Sequence, residues 1–200
     1  MTSDIKFGIN RITGDGSCFY RSVFNSLLNT DKNLVLNIIE ILERKTGLNF
    51  CDNDCQVEEE KFIVFFRRCI SKMILDENDY NIVRSFYDHI KSFEENDIEM
   101  LLENKSEWVK EITKNIKRID FNTFKRSFSN QISNISNWAD ELDIQITKNI
   151  LTEMNVKLHI LNVNNDGNIK IYEKLLRNNN NIYIINIDEQ HYVSVVLTSR

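Results

Sequence analysis

The 200-residue sequence contains no proline, only five glycines, four cysteines and three histidines. No apolar segment approaches the roughly 20 residues that a membrane-spanning helix needs, and the first residues lack the pattern of a secretory signal. Four cysteines are too few to form a disulfide scaffold in a chain of this length. We therefore expect a soluble protein made in a reducing compartment, with a cytoplasmic location.

The charge balance is acidic, with a formal net charge of -5. It argues against nucleic acid or a membrane as a partner, because both select basic surfaces. No glycine-rich phosphate loop occurs, so no nucleotide cofactor is predicted. Cys51 and Cys55 have near metal-ligand spacing, but no second pair completes the four ligands of a structural zinc site. The sequence therefore predicts neither a cofactor nor a metal.

The hydrophobic pattern changes its period along the chain. Apolar residues at helical spacing predict a helix from Cys18, further helices over 33–47, 56–75 and 137–154, and several pieces within 78–130. Gly47 is the predicted C-terminal stop of the helix over 33–47. Short β-branched segments then predict strands over 156–163, 168–173, 181–187 and 191–197. A helical block followed by a small sheet is an α+β arrangement, and this length fits one domain.

A turn with two glycines, Gly14 to Ser17, leads directly into Cys18 and its helix. Glycine allows tight or left-handed backbone there. The free N–H groups and the positive end of the helix dipole lower a cysteine pKa and favour the nucleophilic thiolate. The N–H groups of the turn could also hold a developing oxyanion. The alternative is a buried core cysteine after an ordinary loop, and the local sequence leaves both interpretations open.

A cysteine hydrolase also needs a base, and the chain offers three histidines. His89 falls within a helical pattern, and His159 lies inside a predicted strand, where we expect its hydrogen bonds to be satisfied. His191 begins a strand directly after a turn, where a side chain can face a cleft. Alternatively, His191 only packs at the start of that strand. Distance in sequence does not prevent Cys18 and His191 from meeting in the fold.

Three segments resemble motifs of the ovarian tumour (OTU) family of deubiquitinating cysteine proteases. "DGSCFYRSV" (Asp15–Val23) resembles the cysteine box of the family, and "EQHYVSVV" (Glu189–Val196) resembles its histidine box. "WADELDIQ" (Trp138–Gln145) is similar to the motif Trp-Gly-Gly-x-x-Glu-Leu that opens the last core helix, with Ala139 and Asp140 in place of both glycines and Asp143 in place of Glu. The resemblance implies one catalytic domain over residues 1–200. Its fold would be papain-like, a helical block packed on a small, mostly antiparallel C-terminal sheet.

The resemblance also implies roles for single residues. Cys18 would be the nucleophile, and His191 would be the general base and acid. Asp15 would count among the catalytic residues and would shape the loop. Gly16 and Ser17 belong to that loop, whose N–H groups would form the oxyanion hole together with the N–H of Cys18.

Two more positions would support the site, and one departs from the family pattern. Arg21 would brace the start of the helix, and Trp138 would support the core. Val193 stands where many members carry an Asp or Asn that orients the imidazole, and valine cannot accept an N–H. The replacements that the sequence leaves open are Asp4, Asn10, Asp15, Asn186 and Asp188. A Cys–His dyad without a third residue is also open.

The function implied is hydrolysis of isopeptide bonds at the C-terminal glycine of ubiquitin, by a monomer that binds ubiquitin or polyubiquitin chains. A helical arm at about residues 75–130 would contact ubiquitin. The aromatic residues available there are Phe86, Tyr87, Phe93, Trp108 and Phe121. Three alternatives stay open: an inactive ubiquitin-binding module, a cysteine peptidase for another substrate or ubiquitin-like modifier, and a helical adaptor. The Asn- and Ile-rich composition fits an intracellular bacterium or a large virus, where the protein would be an effector in the host cytoplasm.

Overall fold

The structure, a computed structural model, describes residues 6–10, 12–51, 57–76, 81–103, 105–163, 169–170, 180–187 and 191–198. Within these ranges the elements are β1 (Lys6–Asn10), α1 (Cys18–Thr30), α2 (Lys32–Thr46), α3 (Glu59–Asp76), α4 (Asn81–Ser92), α5 (Glu95–Leu101), α6 (Glu107–Thr113), α7 (Phe121–Ser133), α8 (Glu141–Glu153), β2 (Lys157–Val163), β3 (Ile169–Lys170), β4 (Asn181–Ile187) and β5 (His191–Thr198). The helices separate β1 from the other strands, so the predicted α+β class is confirmed.

The described strands form one sheet in the order β1-β5-β4-β2-β3. Strand β5 pairs antiparallel with both β1 and β4, whereas β4 and β2 are parallel and β3 is antiparallel to β2. The prediction of a small, mostly antiparallel sheet is therefore confirmed. Sequence analysis missed β1, because "KFGIN" is short and carries little periodic signal. Only its pairing with β5 makes it a strand.

Local capping sets the ends of the helices near the site. Gly47 ends α2 at a φ of 68°, as predicted, because the left-handed conformation there costs glycine little. The helix predicted from residue 137 begins only at Glu141. The Asp140 carboxylate accepts the N–H of Asp143, and the Asp143 carboxylate accepts the N–H of Asp140, which together form a capping box; Asp140 also accepts the N–H of Glu141. Residues 134–140 are consequently a non-helical segment.

Helix α1 is the central element of the fold. It packs on β4 and β5 and also contacts α2 and α3. The ring centroid of Phe19 lies 5.2 Å from that of Tyr192 on β5, and the centroid of Phe24 lies 5.0 Å from that of Phe62 on α3. Burial of each such side chain contributes roughly 1.5–3 kcal/mol. This packing fixes Cys18, the first residue of α1, against the start of β5.

Helices α4 to α7 occupy the region predicted as a helical arm. Tyr87, Trp108 and Phe121 are buried there, and Phe86 and Phe93 pack partly buried against the same core. The rings of Tyr87 and Phe121 are 5.5 Å apart between centroids. These aromatic residues therefore pack into the main hydrophobic core and do not form a free surface.

Candidate active site

The loop before α1 and the first residues of β5 meet at one end of the sheet. Gly14 lies beside the imidazole of His191, since a Cβ placed on Gly14 would be 3.6 Å from the Cε1 and Nδ1 atoms of that ring. The backbone N–H of Tyr192, the next residue, hydrogen-bonds to the sulfur of Cys18. The fold thus brings the cysteine loop and the histidine strand together from opposite ends of the chain.

The environment of the Cys18 thiol combines opposing effects. Cys18 is only 1% exposed, and this burial raises the pKa of the thiol above its usual 9.0. The N–H groups of Tyr192, Phe19 and Cys18 itself act in the other direction, while the Asp15 carboxylate adds to the rise. The prediction of a lowered pKa is therefore wrong for this resting structure. The helix terminus helps the thiolate as expected, but loss of hydration costs more.

The turn before Cys18 engages several of its own N–H groups. The N–H of Asp15 donates to the carbonyl of Thr13 at 3.0 Å, and the N–H of Cys18 donates to the carbonyl of Asp15 at 3.1 Å. The N–H of Ser17 donates to the Asp15 carboxylate at 3.0 Å. An oxyanion at this turn would therefore have to share these donors or displace their present acceptors.

Asp15 is held by Arg21. The guanidinium donates to the Asp15 carboxylate from Nη2 at 2.9 Å, and the same side chain pairs with Glu59 at 2.5 Å and Glu60 at 2.6 Å. Burial alone would raise the pKa of Asp15, but hydrogen bonds from Arg21 and the Ser17 N–H outweigh it and the pKa is lowered. Asp15 is thus an ionised brace within the turn, and Arg21 connects the turn to the start of α3.

The residues considered for orienting His191 lie in different places. Asp4 and Asp188 are outside the described residues. Asn10 is half-buried at the end of β1, and Asn186 on β4 pairs in register with Tyr192. Because register partners share a face and strand residues alternate, the Asn186 side chain faces the side of the sheet opposite to that of His191 and Val193. Its Oδ1 atom is buried without a hydrogen bond to any described residue.

A second turn, over residues 134–137, lies against the turn before Cys18. The hydroxyl of Ser17 donates to the carbonyl of Ile135 at 2.8 Å. A Cβ on Gly16 would be 2.2 Å from the carbonyl oxygen of Ser136, so a side chain does not fit there. Among the described glycines only Gly47 has a positive φ. Gly16 is therefore required for close approach of two backbones, and not for the left-handed conformation that its sequence context indicated.

Arg67 of α3 holds this second turn, and sequence analysis missed it. Its side chain is 1% exposed, and it donates to the carbonyl of Ile132 at the end of α7 and to the carbonyls of Asn134 and Asn137 in the turn. A lone arginine in an amphipathic helix is usually a solvated residue. The signal that could have found it is its spacing, because Ile63, Arg67, Ile70 and Ile74 share the buried face of α3.

The proposed core role of Trp138 is contradicted by its exposure. Its side chain is 43% exposed, whereas Trp108 of α6 is buried. The indole N–H of Trp108 donates to the backbone carbonyl of Trp138 at 2.9 Å. Support of this segment therefore comes from the side chain of Trp108, and Trp138 contributes only its backbone.

The other two histidines lie where the sequence predicts. The Nε2 atom of His159 is 3.1 Å from Oδ1 of Asn181, and its ring stacks on Tyr183 with 4.7 Å between centroids. His89 is exposed on α4, with its ring against Phe93. Neither contributes to the cluster around Cys18 that is described above.

The described part of the chain offers no group of three or more His, Cys, Asp or Glu side chains that could bind a metal ion. Cys18 and Cys69 are buried thiols that form no disulfide, and Cys51 is disulfide-bonded. None of the described helices is both long and apolar enough to cross a membrane.

No family model and no curated protein matches this chain. Among solved structures, the crystal structure of an OTU deubiquitinase from Wolbachia pipientis wMel is similar, with a TM-score of 0.47 and 18% sequence identity. The alignment covers 96% of this chain and 88% of that one.

Proposed function

We propose that this protein is a cysteine isopeptidase that hydrolyses the bond between the C-terminal glycine of ubiquitin and a lysine amine. The observation that carries the proposal is the meeting of the Cys18 loop with the start of β5. There the Tyr192 N–H hydrogen-bonds to the Cys18 sulfur and Gly14 lies against the His191 ring. The choice of ubiquitin as substrate rests on the resemblance of the three sequence motifs to those of the OTU family.

The proposed reaction begins with a proton transfer. Because burial keeps the Cys18 thiol protonated at neutral pH, His191 first accepts its proton and a thiolate–imidazolium pair forms. The N–H groups of Tyr192 and Phe19 stabilise the thiolate. The sulfur then bonds to the carbonyl carbon of the glycine, and the electron pair of the C=O bond moves to oxygen. The N–H groups of the turn before Cys18 then donate hydrogen bonds to this oxyanion and release the acceptors within the turn that they bind in the resting structure.

Collapse of the oxyanion completes acylation. The C–N bond breaks, and the departing lysine amine takes the proton from His191. His191 then removes a proton from water, whose oxygen attacks the thioester carbon. Cys18 leaves as thiolate and recovers a proton from His191, while ubiquitin departs as the C-terminal acid, which releases its proton to solvent and becomes a carboxylate. Asp15 and Arg21 keep the turn in place throughout and exchange no proton.

In this proposal residues 1–200 act as one catalytic domain, with α4 to α7 as the ubiquitin-contacting arm. Exposed apolar side chains are available on that arm at Met100 and Leu101, which are 77% and 40% exposed. Ile135 and Trp138 are also exposed, in the segment that contacts Gly16, and would flank the ubiquitin tail. A ubiquitin substrate would place a monomeric enzyme in a eukaryotic cytoplasm, that of the host if its source is an intracellular bacterium or a virus.

A second candidate function is a ubiquitin-binding module that does not cleave. Its support is the raised pKa of the Cys18 thiol, the internal acceptors of the turn N–H groups, and Val193 beside His191. Each of these opposes formation or use of the thiolate. Both candidate functions require ubiquitin as the ligand, and they differ only in whether Cys18 reacts with it.

The test is reaction with ubiquitin that carries an alkyne electrophile at its C-terminus. We expect a covalent one-to-one adduct with wild type and with Cys69→Ala, which removes the other buried free thiol. We expect no adduct with Cys18→Ala and a strongly slowed reaction with His191→Ala. An adduct that persists in Cys18→Ala would refute the proposed nucleophile. Ubiquitin binding without an adduct in wild type would support the second candidate, and absence of both would reject ubiquitin as the ligand.

A further inference from the structure

We infer that Arg67 is a positioning residue for acyl transfer, which acts on the Gly16–Ser17 backbone through the turn of residues 134–137. The inference rests on the proposed function, because it concerns the same reacting cysteine. Arg67 lies in the core and has no role in the resemblance to a known family. The contacts that carry it form an uninterrupted path from the buried guanidinium to the loop before Cys18.

The guanidinium forms the inner part of this path. Its Nε donates to the carbonyl of Ile132 at 2.6 Å, and its Nη2 donates to the carbonyl of Asn134 at 2.7 Å. Both terminal nitrogens reach the carbonyl of Asn137, at 3.1 and 3.2 Å. The Cζ atom lies 4.6 Å from the ring centroid of Tyr20, a residue of α1. One side chain thus ties together the end of α7, both ends of the turn and the helix that begins with Cys18.

The outer part of the path consists of the carbonyls of residues 135 and 136, which lie between the two turn carbonyls that Arg67 binds. The carbonyl of Ile135 accepts the hydroxyl of Ser17 at 2.8 Å. The carbonyl of Ser136 lies so close to Gly16 that a Cβ there would be 2.2 Å away. The turn is therefore held on one side by Arg67 and contacts the loop of the proposed oxyanion hole on the other. A shift of the turn would move this loop.

The chemistry of arginine makes this arrangement rigid. A buried cation is costly unless its donors are satisfied, so release of the turn would leave several N–H donors of Arg67 without acceptors in the core. Among the described residues its hydrogen-bond acceptors are backbone carbonyls, while the buried Asp143 carboxyl, which accepts the hydroxyl of Tyr20 at 3.1 Å, attracts the guanidinium without a direct hydrogen bond. The planar fork reaches three carbonyls in different directions, which the single ammonium of lysine cannot do.

The test compares two reactions of Cys18 that differ in their need for an oxyanion hole. Acylation by p-nitrophenyl acetate passes through a tetrahedral oxyanion, whereas alkylation by iodoacetamide is a direct displacement at carbon. Both reagents are small and need no ubiquitin, and mass spectrometry of the Cys18 peptide gives both rates. The ratio of acylation to alkylation therefore reports the oxyanion loop separately from thiol reactivity. Steady-state kcat and KM for a fluorogenic ubiquitin amide are measured beside it.

Arg67→Lys keeps the charge and removes the fork. We expect this variant to lower the ratio of acylation to alkylation about tenfold, and to lower kcat with little change in KM. Complete loss of one oxyanion donor lowers kcat about a hundredfold or more, and a displaced loop should lose only part of that. Ile74→Ala is the matched control, because Ile74 is fully buried on the same face of α3 and contacts neither turn through a hydrogen bond. It should lower the melting temperature and leave the ratio unchanged.

Ser17→Ala keeps every backbone N–H and removes only the bond to Ile135, so it tests the same path if Arg67→Lys does not fold. We expect a lowered ratio for this variant as well, and a double variant no slower than Arg67→Lys alone. A wild-type ratio in either single variant, or effects that multiply in the double variant, overturns the inference. Failure of wild type to cleave ubiquitin amides would reject the proposed function and leave this ratio test intact.

Discussion

A methyl group at Gly16 tests the contact between the two turns most directly. In Gly16→Ala the new Cβ would lie 2.2 Å from the Ser136 carbonyl oxygen and 2.5 Å from its carbonyl carbon. Gly14→Ala is a matched control two residues away, where the Cβ would lie 3.6 Å from the His191 ring, an ordinary van der Waals distance. Neither glycine has a positive φ, so backbone strain does not distinguish the two variants. They differ in the space that is available and in the neighbour of the new methyl group, which is the Ser136 carbonyl at position 16 and the His191 ring at position 14.

The size of the effect follows from how far the backbones must separate. Contact between Cβ and the carbonyl oxygen becomes acceptable only after a movement of about 1 Å. Arg67 holds the Ser136 turn, so the Gly16 backbone must yield, and overpacking of this kind costs about 1–3 kcal/mol. For a domain of this size the melting temperature should fall by about 2–12 °C. A misplacement of about 1 Å next to the reacting carbonyl should lower kcat roughly hundredfold.

The assay combines thermal melting with turnover of a fluorogenic ubiquitin amide, in both variants and wild type. We expect Gly16→Ala to lose kcat at temperatures well below its melting point, and Gly14→Ala to melt close to wild type. A Gly16→Ala variant with wild-type stability and turnover would refute the close approach of the two turns. Equal losses in both variants would show that the clash at Ser136 is not the cause.

Three further predictions concern burial and ionisation. Burial raises the pKa of Asp143 from 3.8 to about 6. The folded state therefore binds this proton more tightly than the unfolded state, and the stabilisation that results is present below pH 3.8 and lost as the pH rises through 6. At about 1.4 kcal/mol per pH unit, the free energy of unfolding should fall by about 3 kcal/mol over this range. Urea titrations at several pH values should show this decline in wild type and not in Asp143→Asn. The same pH profile in both proteins would contradict the prediction. Trp108→Ala should lower the free energy of unfolding by about 3–5 kcal/mol, and Trp138→Ala should lower it by less than about 1 kcal/mol. Chemical denaturation measures both values, and the reverse order would place Trp138 in the core. Burial raises the pKa of both buried thiols, so the rate of alkylation by iodoacetamide should still be rising at pH 9 for Cys18 and should level off only near pH 11 for Cys69. A rate for Cys18 that is already at its plateau at pH 7 would show that the resting thiol is ionised.

Much of the architecture could be predicted from sequence, because helix and strand periods are local. The helix that starts at Cys18, the glycine stop at Gly47 and the late strands follow from residues within a few positions of each other. Strand β1 could not be predicted, since its five residues acquire their strand character from pairing with β5. The proximity of the Cys18 loop to the His191 strand was predicted from chemistry and motif order, and the geometry of the end of β5 agrees with it.

The details of the candidate site were less accessible. The helix terminus at Cys18 correctly indicated N–H groups around the sulfur, but the net pKa shift has the opposite sign because burial dominates. Trp138 matched a motif position and is exposed, while Trp108, in no motif, is the buried indole. The spacing of Arg67 indicates its burial but not its role, because its partners are backbone carbonyls at the end of α7 and in the turn that follows, far along the chain.

By itself, the sequence determined the types of the main helices and strands, the end of α2 at Gly47 and the candidate pair of nucleophile and base. These depend on backbone propensities and side-chain chemistry, which each residue carries with it. Only the tertiary structure decided why position 16 must be glycine, which tryptophan is buried and in which direction the pKa of Cys18 moves. Those properties depend on atoms brought close from α3, from residues 134–137 and from β5, and both burial and close approach arise only when these distant segments pack together.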